Sequence, residues 1–247
     1  MASRSSDLRR VLTFGGQVPL GVGSLVIAMA VATVAGTAWP ALAGLLVLAG
    51  PGSDWVHLAE VWRLATWPLY QGRLPNSLLD LAFGGFMMVW LGRQLSYAWS
   101  ERRFLLRVLL VTACAGLVTV LVLAALGQEH SSFGIWAVAN ALLVTWGLLF
   151  PGQRINWFGA LEMRGATVAQ VVTVATPLWA VVVGPPVAYV PHLAAVGVAW
   201  LLAAGGPRRG WSRMREWWLR LTLDRQRRKF KVISTDRPRP RSKEWMN

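Results

Sequence analysis

The sequence has little of what many catalytic and metal sites are built from. Its 247 residues include one cysteine, Cys114, and three histidines. One cysteine cannot form an intrachain disulfide, and no Cys/His cluster has the spacing of a zinc site. Charged residues make up only 15% of the chain, against 55% hydrophobic ones. We therefore expect no metal and no cofactor, and a chain too apolar for a water-soluble domain.

Long apolar runs dominate the chain. Residues 11–53 contain no charged side chain, a run longer than the apolar core of about 7–15 residues in a signal peptide. A bilayer crossing needs about 20 apolar residues. Six stretches fit this length: residues 20–38, 78–95, 104–126, 133–150, 168–183 and 187–204. The last two are divided at Pro185 and Pro186, because consecutive prolines cannot continue a helix. The sequence predicts an all-α polytopic membrane protein with six transmembrane helices.

Basic residues indicate the orientation, since Lys and Arg are retained on the cytoplasmic side of a membrane. Arginines precede the first predicted crossing and recur in the second-to-third and fourth-to-fifth connections. The other connections hold little positive charge, apart from Arg63 and Arg73. Both termini are therefore predicted to be cytoplasmic, in a bacterial inner membrane. Residues 1–19 would form an N-terminal segment, residues 20–204 the membrane domain and residues 205–247 a basic tail.

The C-terminal tail carries most of the net charge. Residues 207–247 hold fourteen Lys or Arg and four acidic residues, a net charge of +10 out of +14 for the chain. Interspersed tryptophans favour an amphipathic segment that binds anionic lipid headgroups. Membrane topology and lipid attraction account for this charge, so we expect no nucleic-acid partner.

The connection between the first two predicted crossings is rich in tryptophan. It contains Trp55, Trp62 and Trp67, with Arg63 beside the second of them. Trp and Arg are typical of segments at the membrane–water boundary. We therefore predict a membrane-interfacial loop with these indoles at headgroup depth.

Three motifs in the membrane domain resemble those of the rhomboid family of intramembrane serine proteases. They are Trp62-Arg63 with Trp67-Pro68-Leu69, Gly92-Arg93-Gln94-Leu95 after the second crossing, and Leu149-Phe150-Pro151 after the fourth. The resemblance implies a six-helix bundle with both ends cytoplasmic. It also implies catalysis by a Ser in a Gly-x-Ser-Gly turn at the head of crossing four and a His base in crossing six. A His-x-x-x-Asn pair in crossing two completes the family's catalytic set.

Two of the family's positions are substituted in crossing two. Counted back from Gly92, Asp80 stands where the family has His, and Gly84 stands where it has Asn. Oxyanion donors are therefore missing, since an ionised Asp donates no hydrogen bond. In crossing six, His192 matches the base, and it either keeps that role or is a structural imidazole. Asp80 either pairs with His192 or lies at the water-accessible start of its helix.

Crossing four admits two alignments with the nucleophile motif. Ungapped matching from Phe150 places the motif on residues 134–137 and replaces the nucleophile with Trp136. A shift of four residues places Ser132 there, but both glycines are lost and the helix must lengthen by about one turn. The ungapped alignment is simpler and is favoured. Ser131 and Ser132 are then expected to cap the start of the helix.

Two functional hypotheses follow from the resemblance. The favoured one is a catalytically inactive rhomboid-like protein, a pseudoprotease, that binds transmembrane helices of other proteins as adaptor, chaperone or complex subunit. The alternative is an active rhomboid protease that cleaves transmembrane substrates with Ser132 and His192. A small-molecule transporter has less support, because the sequence shows no internal repeat.

Overall fold

The computed structural model describes residues 18–49, 60–157, 161–182 and 185–203. This part is mostly helical, with α1 Leu20–Ala38, α2 Pro40–Leu46, α3 Arg63–Thr66, α4 Leu78–Trp99, α5 Glu101–Leu126, α6 Trp136–Leu149, α7 Gly165–Val182 and α8 Val190–Ala203. A 3-10 turn, Pro186–Tyr189, leads into α8. The predictions for the N-terminal segment up to residue 17, for Trp55 and for the basic tail lie outside the described residues.

Two pairs of short strands join the helical elements. The two-residue strands β1, Leu48–Ala49, and β2, Ser131–Ser132, are antiparallel neighbours. The strands β3, Arg154–Trp157, and β4, Leu161–Arg164, form a second antiparallel pair between α6 and α7. Segments of two to four residues give little alternating pattern, so the sequence does not predict these strands.

Within the described residues, four helical segments are long and apolar enough to cross a membrane. They are Leu20–Ala38, Glu101–Leu126, Gly165–Val182 and Pro186–Ala203, which joins the 3-10 turn to α8. These segments support the predicted helical membrane protein. Helix α6 is apolar but only 14 residues long, and α4 carries Asp80 and Arg93 within its span. Whether α4 and α6 also cross, and hence the total of six, stays a prediction.

Helix α6 lies at the centre of the fold. It packs most extensively against α7 and α8, and also against α4. Most of its side chains are buried, including those of Val138, Leu142 and Trp146. Small residues allow the close approach of helices on which packing in membranes depends, and Gly147 meets the first turn of α7 in this way. Most of α6 is thus enclosed, whereas Trp136 at its head is 36% exposed.

The connection from α1 to α4 folds back onto α5. Arg63 is buried, forms a 2.5 Å ion pair with Glu60 and donates a hydrogen bond to the Val47 carbonyl at 3.4 Å. Trp67 is also buried, and its indole donates to the Thr112 carbonyl in α5 at 3.3 Å. The Trp67 ring therefore faces protein and not the headgroups expected for it. The interfacial position of the loop as a whole stays a prediction.

Helix boundaries follow the prediction closely for α1 and less closely for α6. The first predicted crossing coincides with α1, whereas α6 begins at Trp136 and not at Phe133. Gly134 has a φ of 97°, a left-handed conformation in which the chain cannot continue a right-handed helix. The glycine of the Gly-Ile-Trp-Ala segment thus separates the preceding strand from the helix.

Candidate functional site

The head of α6 is held by backbone contacts with the loop that precedes α4. The Gly134 amide donates to the Trp67 carbonyl at 3.3 Å. The Ile135 amide donates to the Gln71 side-chain oxygen at 3.1 Å. Backbone amides at a helix N-terminus are well suited to bind a developing negative charge. Here the amides of Gly134 and Ile135 already have protein acceptors.

Asp80 and Trp136 are directly bonded. The Trp136 indole Nε1 donates to Asp80 Oδ1 at 2.9 Å. Asp80 lies in the first turn of α4 with an exposed side chain, and Trp136 opens α6 and is 36% exposed. The pairing of Asp80 with His192 considered from the sequence is therefore replaced by a bond to Trp136. The alternative position, near the start of the helix, is the one observed, although Ser77 and not Asp80 is the N-cap residue.

Gly84 supplies space and no hydrogen-bond donor. It is buried one turn beyond Asp80 in α4. A Cβ atom at this position would overlap Cγ2 of Ile135, at the head of α6. The small residue therefore permits close packing of α4 against α6. An asparagine, as the family pattern has here, would require the Ile135 side chain to move.

Ser132 lies on a strand and not at the start of a helix. It is in β2, opposite Leu48, and α6 starts four residues later. The predicted capping role of Ser131 and Ser132 is therefore wrong, because the Gly134 turn intervenes. Ser132 is buried, and its Oγ has no hydrogen-bond partner within the described part of the chain. Ser131, beside it, is exposed.

His192 lies between two cavities near the start of α8. One cavity, of about 320 Å³, is also lined by Trp136, Trp179 and Tyr189, and the other, of about 240 Å³, by Ser132. The imidazole lies 5.6 Å from the Tyr189 ring, between centroids. Its Nδ1 is buried, with no hydrogen-bond partner among the described residues.

The structure thus brings the predicted site residues into two groups around His192. Asp80, Gly84 and Trp136 lie together where α4 meets α6. Ser132 and His192 share the smaller cavity, but the described residues include no hydrogen bond between them. The first group offers a carboxylate and an indole and lacks a nucleophile. The second group offers a hydroxyl and an imidazole that are not hydrogen-bonded to each other.

The remaining motif residues position the helices. Gly92 is buried against α1, where an added Cβ would lie 2.8 Å from Val22. Arg63 holds the loop as described, and Trp62, half exposed beside it, donates from its indole to the Leu45 carbonyl at 3.2 Å. These contacts are structural. Gly92, Arg63 and Trp62 line neither cavity, whereas Trp67 of the same loop motif lines the smaller one.

Gln71 is a site residue that the sequence analysis missed. Besides accepting from Ile135, its side chain donates to the Pro68 carbonyl at 2.6 Å, and its backbone amide donates to Thr33 at 3.2 Å. It is buried. In the sequence, Gln71 is a neutral polar side chain within an apolar, aromatic loop. Such a side chain is buried only when it is hydrogen-bonded, so this pattern indicates a structural hydrogen bond.

Replacement of Gln71 by leucine is expected to destabilise the fold by about 2 kcal/mol, because the buried Ile135 amide and Pro68 carbonyl would lose their partners. The change is measurable as a lower thermal unfolding midpoint of the purified protein in detergent. Gln128→Leu is the control, since Gln128 is exposed. Equal midpoints for the two variants would contradict a structural role for Gln71.

Neither the protein-family models nor the curated proteins include a match to this sequence.

Proposed function

We propose that this chain is a rhomboid-like membrane protein without protease activity, which binds transmembrane helices of other proteins as an adaptor, a chaperone or a complex subunit. In this proposal six helices cross a bacterial inner membrane with both termini cytoplasmic, and the α1–α4 connection lies in the membrane interface. The bond between Trp136 and Asp80 is the observation that carries the proposal.

That bond occupies two positions at which the resemblance places catalytic residues. An indole N–H is a donor only, and an ionised carboxylate is an acceptor only. Together they satisfy each other and leave no activated hydroxyl at the head of α6. A nucleophile needs a base within hydrogen-bond reach, and Trp136 supplies no nucleophilic atom. The pair therefore favours a structural role for this part of the fold.

The environment of the pair lacks the donors that acyl transfer requires. Gly84 has no side chain, and Ile135 fills the adjoining space. The Ile135 amide is bonded to Gln71. Loss of a single oxyanion donor lowers the rate by about 10²- to 10³-fold in well-studied serine hydrolases. Oxyanion donors and a nucleophile are both missing at the head of α6, which supports the proposed loss of protease activity.

Binding of other helices is supported by the lateral surface of the bundle. Exposed apolar side chains cover α4 and α7, including Phe83 and Phe86 on α4 and Val174 and Leu178 on α7. These side chains face lipid or a partner helix. Association of helices in a membrane depends on close packing of side chains and on polar contacts. The exposed apolar side chains of α4 and α7 are available for packing, and the exposed carboxylate of Asp80 is available for a polar contact.

The test is reconstitution in vesicles with a panel of fluorescently labelled transmembrane substrates. We expect association, measured by energy transfer, and no cleavage, measured on gels, with identical gels for wild type, Ser132→Ala and His192→Ala. An active rhomboid protease that cuts the same panel is the positive control. Cleavage that both substitutions abolish would overturn the proposal, as would absence of association with every helix in the panel.

A second function has one specific observation in its favour. The Ser132 Oγ and the His192 Nδ1 are both buried without a partner in the described part of the chain, and both residues line the cavity of about 240 Å³. Movement of α8 toward β2 until these two atoms are within hydrogen-bond reach would create a nucleophile–base pair of the kind that serine hydrolases use. This function is an intramembrane serine protease with Ser132 as nucleophile.

A fluorophosphonate probe separates the two functions, because it labels an activated serine covalently. The proposed inactive protein is expected to show no labelling above that of Ser132→Ala. Labelling of wild type and of Ser131→Ala, but not of Ser132→Ala, would establish the protease instead. Ser131 is the matched control, since it precedes Ser132 on the same strand and is exposed.

A further inference from the structure

Asp80 is an exposed carboxylate with exposed apolar side chains beside it on α4. Its neighbours Leu78 and Leu79 are 57% and 70% exposed, and Phe83, about one turn further along α4, is 49% exposed. The ion pairs among the described residues join Arg63 to Glu60 and Arg154 to Glu162, so neither includes Asp80. An acidic side chain on an apolar membrane helix is costly unless a cation or water compensates it.

Trp136 connects this carboxylate to the larger cavity. Its indole N–H is directed to Asp80, while the residue also lines the cavity of about 320 Å³ between α6, α7 and α8. Trp179 and Tyr189 contribute two further aromatic rings, and Asn140 contributes an uncharged amide. Aromatic faces attract a cation, most strongly when water is excluded. A hydrogen bond from the indole to an anion fixes the ring in place for this contact.

None of the described residues that line the cavity is Asp, Glu, Lys or Arg, and the imidazole of His192 also lines it. A carboxylate adjoins the cavity at Asp80, which accepts the hydrogen bond from Trp136. A carboxylate, three aromatic rings and a neutral amide form a site for a cation and a poor site for an anion. The apolar surface around the opening of this cavity favours a cation that belongs to an otherwise apolar molecule.

We infer that Asp80 and this aromatic cavity bind a lysine or arginine side chain from the transmembrane helix of a partner protein. The inference rests on the proposed helix-binding function and deepens it by naming the chemistry of the partner. The partner helix packs on the exposed apolar faces of α4 and α7, and its basic side chain reaches Asp80 and the ring of Trp136. Pairing removes two uncompensated charges from the membrane together, which selects basic helices over neutral ones.

The test uses synthetic polyleucine transmembrane peptides with one arginine near the extracytoplasmic end. The matched peptide carries citrulline, which has the shape of arginine but no charge. Association with the labelled full-length protein is measured by energy transfer in vesicles of phosphatidylethanolamine and phosphatidylglycerol. We expect the arginine peptide to bind about tenfold more tightly than the citrulline peptide, as for a polar contact between helices.

Substitutions separate the charge from the fold. Asp80→Asn, which preserves shape, is expected to abolish the preference for the arginine peptide over the citrulline peptide. Trp136→Phe keeps a ring and loses the bond to Asp80, so it is expected to reduce the preference partly. Glu129→Gln is the control, because Glu129 is an exposed acid in a loop on the same predicted side of the membrane, and it is expected to retain the full preference.

Equal binding of the arginine and citrulline peptides would overturn this inference and leave the proposed helix-binding function standing. Retention of the preference in Asp80→Asn would do the same, since the cation would then be bound elsewhere. Absence of binding by both peptides would overturn the inference together with the function on which it rests.

Discussion

Replacement of Arg63 by methionine is expected to lower the free energy of unfolding by about 3–5 kcal/mol, the range for loss of one partner of a buried ion pair. Arg63 and Glu60 have side chains that are 7% and 13% exposed, and their charged atoms lie 2.5 Å apart. Without the guanidinium, the Glu60 carboxylate stays in a poorly solvated place with no counter-charge. Unfolding of the purified protein in mixed micelles with increasing SDS measures the difference.

The second ion pair of the described residues provides the control for Arg63. Arg154 on β3 and Glu162 on β4 form a diagonal pair across the two strands, with side chains 59% and 56% exposed. Arg154→Met is expected to cost no more than about 1 kcal/mol, because exposed pairs are solvated and screened. The double variant of Arg63→Met with Glu60→Gln is expected to recover part of the loss. A larger cost at Arg154 than at Arg63 would contradict the assigned roles.

Substitution of Gly147 by alanine is expected to destabilise the fold by about 2–3 kcal/mol, the upper part of the range for an overpacked core. An added Cβ would overlap the Gly165 carbonyl oxygen and lie 2.8 Å from the Ala169 Cβ and 3.0 Å from the Ala169 amide nitrogen. Two of these atoms belong to the backbone, so a rotamer change cannot relieve the overlap. Helix α7 must move away from α6.

Gly197→Ala is the matched control for Gly147→Ala. Gly197 lies in α8, and a Cβ there would meet no described atom within 4 Å. Alanine has the higher helix propensity by about 1 kcal/mol, so this variant is expected to be neutral or slightly stabilised. Thermal unfolding midpoints of the two variants in one detergent measure both effects. Similar losses in both would show that the contact between α6 and α7 is not the cause.

The contact at Gly147 also bears on function. Helix α7 contributes Val171, Thr176 and Trp179 to the larger cavity, opposite Trp136 and Asn140 of α6. The spacing of the two helices therefore determines the width of the cavity proposed to take a basic side chain. A Gly147→Ala variant that remains folded is expected to bind the arginine peptide less tightly than wild type, without any change in charge.

Apolar runs predicted the helices well, because the length of an uncharged stretch is sufficient to identify a membrane helix. The predicted crossings at residues 20–38 and 104–126 correspond to α1 and to most of α5. The break at Pro185 and Pro186 separates α7 from the 3-10 turn before α8. The start of α6 was wrong by three residues, since one glycine conformation, at Gly134, ends the preceding segment.

The candidate site was less predictable than the helices. Motif counting identified Asp80, Trp136 and His192, and all three lie in one region of the fold. It did not show that Asp80 bonds to Trp136, 56 residues away in the chain. It also placed Ser132 at a helix start, whereas pairing with Leu48 makes it part of a strand. Such contacts depend on segments far apart in sequence, which local patterns do not encode.

The sequence by itself determined that this is an apolar, helix-rich chain for a membrane, since hydropathy is a sum over neighbouring residues. Only the tertiary structure decided what the substituted residues do. The packing of α4 against α6 at Gly84 brings the Asp80 carboxylate within 2.9 Å of the Trp136 indole. A hydrogen bond requires two groups at one point in space, and only the folded helices bring these two groups together.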